Sequence, residues 1–398
     1  MALMGKLFPH WLGIESLRLC YEQKMDDVEL IFDQKWDLLI FDSSYTPHIR
    51  VMVPAFKIPT VFFTTTVIPR QDKVIIGLSQ NSFSANSGKF WDRLFFGIWL
   101  WIDALVDQAV HWIAYFTLFP KISIRQSWNP VSEDVLLHLS FDFDSVGSPE
   151  PLTSEMVRVA EGPCPSYQVD SGPLSPDLTQ FLNKPTSKGI ILASFGHVVA
   201  WSAIPRETVE MILAAFARLK DYQIVWQYNG PPLPEKKNVY TAPWLPHKPI
   251  LEHPKTKVIM THSGMKTTLE GICAEIPMLS LPIFADQFLV SSMLCKSEQA
   301  GISLYKHDFT EDDLYSALLE LATNTSYRRN VKRVKSLITD KLLSPLDIAA
   351  HKLELALRSF TKFPKRNRLK SRELNFIAFW NLDIVLGAIL IVALFLGA

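Results

Sequence analysis

An excess of one charge, a cysteine pattern, a leader peptide and a dinucleotide glycine signature are all missing from this chain. Each absence removes a class of function. Lys+Arg and Asp+Glu number 40 each, and no long single-sign block covers the body, so a basic stripe for nucleic acid is excluded. The four cysteines (Cys20, Cys164, Cys273, Cys295) show neither paired nor metal-ligand spacing. Cys273 falls on the apolar face of a helix pattern and reads as an inert core thiol; the cysteines leave the redox compartment open. The opening residues, with Phe8-Pro9-His10, contain no apolar h-region and no cleavage site, so no secretory signal is expected. Without the glycine fingerprint of a dinucleotide fold, a nucleotide-dependent oxidoreductase is set aside.

What is present is enough chain for two domains. The 398 residues can bury a core in each. Prolines gather at Pro163, Pro165, Pro173, Pro176 and Pro185, a composition that stiffens connections and breaks periodic structure. This predicts an N-terminal domain over 1–165, a linker over 166–187 and a second domain over 188–345. A C-terminal helix with a basic segment follows over 346–375. Residues 376–398 are almost wholly apolar, broken by Asp383, and at 1.5 Å per residue could cross a hydrocarbon core of about 30 Å with some tilt. A buried C-terminal helix is the alternative.

Periodicity gives a coarse layout. Residues 16–32 read as a charged amphipathic helix, and 36–41 and 58–63 as buried parallel-type strands. Residues 90–119 are rich in aromatics but interrupted by Asp92, Arg93, Asp103, Asp107 and His111, which argues against a membrane span. They suit helices lining an apolar pocket or lying on a membrane face, or an ordinary core helix. Beyond the linker, strands at 189–193, 223–228, 258–261 and 278–281 alternate with helices at 205–220 and 264–274. That alternation predicts a parallel doubly wound α/β sheet, whose ligands sit at the carboxyl ends of the strands.

The chemistry-bearing residues fall at those ends. Trp244 offers a flat face for stacking a base, followed by Leu245, Pro246 and His247. Thr261-His262-Ser263-Gly264 leaves a strand and enters a helix, whose first N–H groups carry partial positive charge and suit a pyrophosphate. Thr267 adds a hydroxyl in the first turn, and Lys266 a cation. Glu270 lies one turn beyond Lys266; an i,i+4 ion pair between the two is the plain structural alternative. Asp286 and Gln287 present a carboxylate and an amide suited to adjacent hydroxyls. Ser194, Phe195 and Gly196 close the first strand of the second domain, followed by His197. A ring, a phosphate-cradling turn, a carboxylate and a hydroxyl-reading pair thus follow one another along a strand–turn–helix–strand run.

At this stretch the chain resembles the UDP-dependent glycosyltransferases, specifically the membrane-bound animal UDP-glucuronosyl/glucosyltransferase family. The resemblance implies a GT-B fold, two Rossmann-like domains facing one cleft, plus a C-terminal transmembrane helix. It implies transfer of a hexosyl or glucuronosyl group from a UDP-sugar to a hydroxyl of a small lipophilic acceptor with inversion, a detoxification chemistry. By the same resemblance Trp244 stacks the uracil, His247 stands where the family has Gln, and His262 donates to phosphate. Glu270 accepts the ribose hydroxyls, while Asp286 and Gln287 read the sugar. Val290 replaces a polar Asn. Ser194 and Gly196 belong to the loop that touches the phosphates, where His197 replaces a small hydroxyl residue. No cofactor or metal is implied, since the UDP-sugar is the donor substrate.

The family's base is a His in the N-terminal domain, oriented by an Asp at a strand end, and Asp42 matches that Asp; a helix cap is its plain alternative. No strand–loop–His precedes it, and His10 reads as a surface residue. The chain is therefore expected to lack the first strands, leaving the strand at 36–41 with a bare ladder edge and a poorly stable N-terminal domain. A non-catalytic UDP-sugar-binding or partner subunit is the second hypothesis. Lys362, Lys365, Arg366, Arg368, Lys370 and Arg372 before the apolar tail favour a cytosolic body, whereas the family's body lies in the endoplasmic-reticulum lumen and Asn324-Thr325-Ser326 is a glycosylation sequon. The membrane is thus an expected partner, nucleic acid is not, and a homo- or hetero-oligomer is left open.

Overall fold

The computed structural model describes residues 34–43, 58–65, 135–147, 152–162, 164, 174–196, 199–284, 286–305, 308–360, 374, 376–379 and 382–396, with isolated helical positions at 30, 102, 106 and 109. The readings made above for residues 16–32 and 90–119, for His10 and His197, and for the basic segment before the tail lie outside these residues. The chain divides into two compact units.

The first unit holds a parallel four-stranded sheet in the order β1-β2-β3-β4. Its strands are β1 (Leu39–Asp42), β2 (Thr60–Thr64), β3 (Val135–Ser140) and β4 (Met156–Arg158). Val61, Leu136 and Leu137 are buried, with Leu353, Ala356 and Leu357 packed against them. A further cluster joins Val157 and Val159 to Ala349. At the other end of the sheet β1 pairs only with β2 among the described strands. Leu39 is buried, but Ile40 is 60% and Trp36 44% exposed. Residues 36–41 are therefore not the strand buried on both faces that their apolar run suggested.

The second unit holds a six-stranded, wholly parallel sheet in the order β10-β9-β8-β5-β6-β7. After α1 (Pro176–Leu182) come β5 (Gly189–Ser194), α2 (Arg206–Arg218), β6 (Tyr222–Gln227), β7 (Val239–Ala242) and α3 (His247–Leu251). Then follow β8 (Thr256–Thr261), α4 (Met265–Cys273), β9 (Met278–Ser280), α5 (Gln287–Ser292) and β10 (Gly301–Ser303). Two helices close the unit, α6 (Glu311–Thr323) and α7 (Thr325–Thr339). Every residue of β5 and β6 is buried, as expected for parallel strands covered on both faces. The buried Val209, Ile212, Leu213 and Phe216 of α2 recur at helical spacing and cover one face. Trp226 is fully buried and meets Trp201 at 4.9 Å and Phe216 at 5.3 Å edge to face, the geometry the ring quadrupoles favour.

The elements explain their own ends. Ser175 caps α1 by accepting from the Leu178 N–H, so the proline-rich stretch carries a helix. Thr310 and Asp313 form a reciprocal capping box on α6, and Asn324, exposed, caps α7. Pro205 caps α2 rather than occupying its first turn.

One expectation needs correcting. Cys164 and Cys273 are joined in a disulfide, 109 residues apart, which ties Cys164 to the end of α4; Cys273 is not an inert thiol. Local spacing could not show the pair, because the fold brings its halves together. Cys295 is a free thiol, and burial pushes it up to about 12. The apolar tail forms two helices, α9 (Phe376–Phe379) and α10 (Leu382–Leu396), after α8 (Pro345–Phe360). The 15 residues of α10 rise only about 22 Å, and among the described residues no helix is long and apolar enough to cross a membrane.

Candidate functional site

In the second unit four strand ends and one helix start share a neighbourhood, because β8, β5, β6 and β7 are consecutive in the sheet and parallel. All carboxyl ends of such a sheet face the same way. The turn after β8 is the centre. His262 is 8% exposed, and its ring occupies space left by two glycines. A Cβ on Gly264 would lie 2.7 Å from Nε2, and one on Gly196 3.2 Å from Cε1. Gly264 has φ −63°, so its glycine is needed for the ring and not for the backbone. Gly196 has φ +66°, a region glycine enters without penalty.

Ser263 adopts φ +66° without being glycine, a conformation that costs about 1–3 kcal/mol and persists only where neighbours enforce it. Its hydroxyl is hydrogen-bonded to that of Ser280 at the end of β9, which supplies the enforcement. The turn thus delivers the chain into α4 with Gly264 at the N-cap and no side-chain cap. The first N–H groups of α4 remain unanswered by a cap, and Thr267 is buried in its first turn.

Glu270 is not paired with Lys266, which is exposed. It faces His247 instead, with Nδ1 to Oε2 at 3.3 Å. The other nitrogen of His247, Nε2, lies 2.9 Å from Oε1 of Gln227. Gln227 Nε2 donates to the Gly196 carbonyl at 3.4 Å, and Ser194 Oγ donates to Gln227 Oε1 at 3.3 Å. A carbonyl only accepts, so the Gly196 contact fixes which way the amide points. His247 therefore donates through Nε2, and its contact with the Glu270 carboxylate is made when the ring carries a second proton on Nδ1.

Trp244 stands 68% exposed while the adjacent Leu245 is 2% exposed. The leucine anchors the turn between β7 and α3, and the indole face is left in solvent. Gln287 is 4% exposed, and its Oε1 accepts from the N–H groups of Ile283 at 2.8 Å and Phe284 at 3.1 Å. Its oxygen holds the loop before α5, and only Nε2 is left to meet a ligand. Asp286 is half-buried at the N-cap of α5. Val290 is in the core.

Ser194, Gly196, Gln227, His247, His262, Gly264, Glu270 and Thr267 thus gather at neighbouring strand ends, while Trp244 flanks His247 in sequence. Gln227 carries no motif and was invisible in the sequence; the signal that finds it is only its place as the last residue of β6. Asp42 belongs to the first unit and is exposed at the end of β1. Beside it Ser43 Oγ, Thr64 Oγ1 and His138 Nε2 form a buried chain, each link 2.7 Å.

Comparison with known proteins adds to this geometry. The sequence profile described as "UDP-glucoronosyl and UDP-glucosyl transferase" matches residues 127–397. UDP-glucuronosyltransferase 1A4 of Oryctolagus cuniculus is 32% identical over 257 residues, covering 63% of this chain and 46% of the relative. A UDP-glucuronosyltransferase of Pleuronectes platessa is 33% identical, covering 62% and 51%. The chain spans about half the length of the curated relatives it matches. Among solved structures, the glycotransferase of kitacinnamycin aligns with TM-score 0.61 at 16% identity over 86% of this chain and 82% of its own. Os79 of O. sativa, solved in complex with UDP, aligns with TM-score 0.57 at 18% identity over 89% and 86%. At those identities the likeness is one of fold, GT-B, and agrees with the two parallel-sheet units.

Proposed function

Since the chain belongs to the UDP-glucuronosyl and UDP-glucosyl transferase family, we propose that it transfers a glycosyl group from a UDP-sugar to a hydroxyl of a small lipophilic acceptor, with inversion. The observation that carries this reading is the turn at His262. A buried imidazole lies between two glycines at the uncapped start of a helix, an arrangement matched to a diphosphate.

Uracil stacks on Trp244, the diphosphate meets His262 and the first N–H groups of α4, and the ribose hydroxyls reach Glu270. Asp286 and Nε2 of Gln287 read the sugar. In the reaction the acceptor oxygen forms a bond to the anomeric carbon while the carbon–oxygen bond to the β-phosphate breaks. UDP departs with that electron pair, and the helix start and His262 stabilise the charge that develops on it. The acceptor proton passes to a base, which Asp42, an exposed carboxylate at a strand end, serves to orient.

A membrane location, in the endoplasmic reticulum, completes the reading. It is supported by α10, where Ile384, Leu386, Ile389, Leu390 and Leu394 are all more than half exposed, a row of apolar side chains suited to lipid. The test is calorimetric titration with UDP beside turnover of a phenolic acceptor. Binding, turnover, and loss of turnover in Asp42→Ala with UDP affinity kept are the expected results. Absence of UDP binding would overturn the proposal.

A further inference from the structure

Gln227 has no role in the reading above, yet its amide meets three residues on two segments of the site. The sheet order explains why. β6 lies between β5 and β7, so the residue that ends β6 stands between the turn after β5 and the loop after β7. Gln227 is 7% exposed, and every polar atom of its side chain is engaged. An amide used so fully at a strand end holds a geometry that two separate loops would not keep alone.

We propose that Gln227 is a positioning residue of the donor site: its Oε1 accepts from His247 Nε2 and sets the orientation of the ring, whose Nδ1 stands 3.3 Å from the Glu270 carboxylate that meets the ribose. The proposal rests on the donor-site reading and names how one part of it is kept in place. Without the acceptor on Gln227, the imidazole is free to turn about its χ2 angle, and Glu270 loses the partner that fixes its rotamer. The ribose contact then has to be ordered when the nucleotide binds, which weakens binding. The ion pair alone, with His247 17% and Glu270 30% exposed, is too open to hold that geometry unaided.

The experiment is calorimetric titration of the full chain with UDP for wild type, Gln227→Leu, His247→Ala, Trp244→Ala and the two double variants that combine Gln227→Leu with each of the others. Gln227→Leu and His247→Ala are each expected to weaken UDP about tenfold, and together still about tenfold, because they cut one relay. Gln227→Leu with Trp244→Ala is expected to multiply the two losses, because Trp244 is outside it. His247→Ala also serves if the Leu variant fails to fold, since it cuts the same contact from the other side. Independent losses for Gln227 and His247, or no loss in either single variant, would each overturn the relay. If wild type itself does not bind UDP, the donor-site reading fails with it; if wild type binds and the cycle is additive, only the relay fails.

Discussion

The two sheets of this molecule are built from the same kind of strand, yet they are finished differently. β5, at the centre of the six-stranded sheet, pairs on both sides and buries all its residues. β1, at the margin of the four-stranded sheet, buries Leu39 and leaves Ile40 in solvent. A run of apolar residues is therefore evidence for a strand, but not for what covers it. The second unit carries its candidate site at the ends of covered strands; the first unit presents Asp42, exposed, at the end of β1.

That contrast predicts a ranking of effects. Trp226→Ala, which removes a fully buried ring packed on Trp201, Phe216 and Tyr228, should destabilise the second unit by about 3–5 kcal/mol in denaturant unfolding. A smaller loss would mean that this core is less closely packed than its rings suggest. Next, Cys164→Ser removes the link to the end of α4 and should cost about 2–4 kcal/mol in the same assay. Reductant should then have no further effect on the variant.

Trp244→Ala separates function from stability within one unit. With the ring in solvent, the unfolding midpoint should not move, while UDP affinity should fall by about 1–3 kcal/mol. Glu275 and Lys335 are joined at 2.9 Å, and the lysine holds the Glu275 carboxyl below its usual range. A depressed folded value adds stability above the unfolded value, near 4.3, and that stability is lost as pH falls through the folded one. Wild type should thus exceed Glu275→Gln by at most about 1 kcal/mol at pH 6, and the gap should close toward pH 3. Smallest of all, Ile40→Ala should change stability by less than about 0.5 kcal/mol. A core-sized loss there would show that β1 is covered after all.

Much of the second unit was legible because its strands announce themselves as apolar runs and its helix starts as Gly264 and Pro205. The gathering of residues 244–270 at strand ends was legible too, since each follows a strand in the alternating pattern. What was not legible depends on distant contacts. Glu270 has a partner one helical turn away in Lys266, yet the fold gives it His247, 23 residues back. Gln287 reads as a sugar contact, yet its oxygen is bound to the Ile283 and Phe284 N–H groups. The Cys164–Cys273 link and the packing of Leu353 and Ala356 on the first sheet join residues more than a hundred positions apart, which no local pattern encodes. The apolar tail reads from composition as one run over 376–398, whereas its described residues form two helices, α9 and α10.

Amide hydrogen exchange of the full chain with and without UDP tests the central claim most directly. The account predicts slowed exchange in peptides covering 194–196, 242–250 and 262–270, with β1 and β2 unchanged. Equal exchange across 262–270 at saturating UDP would contradict it.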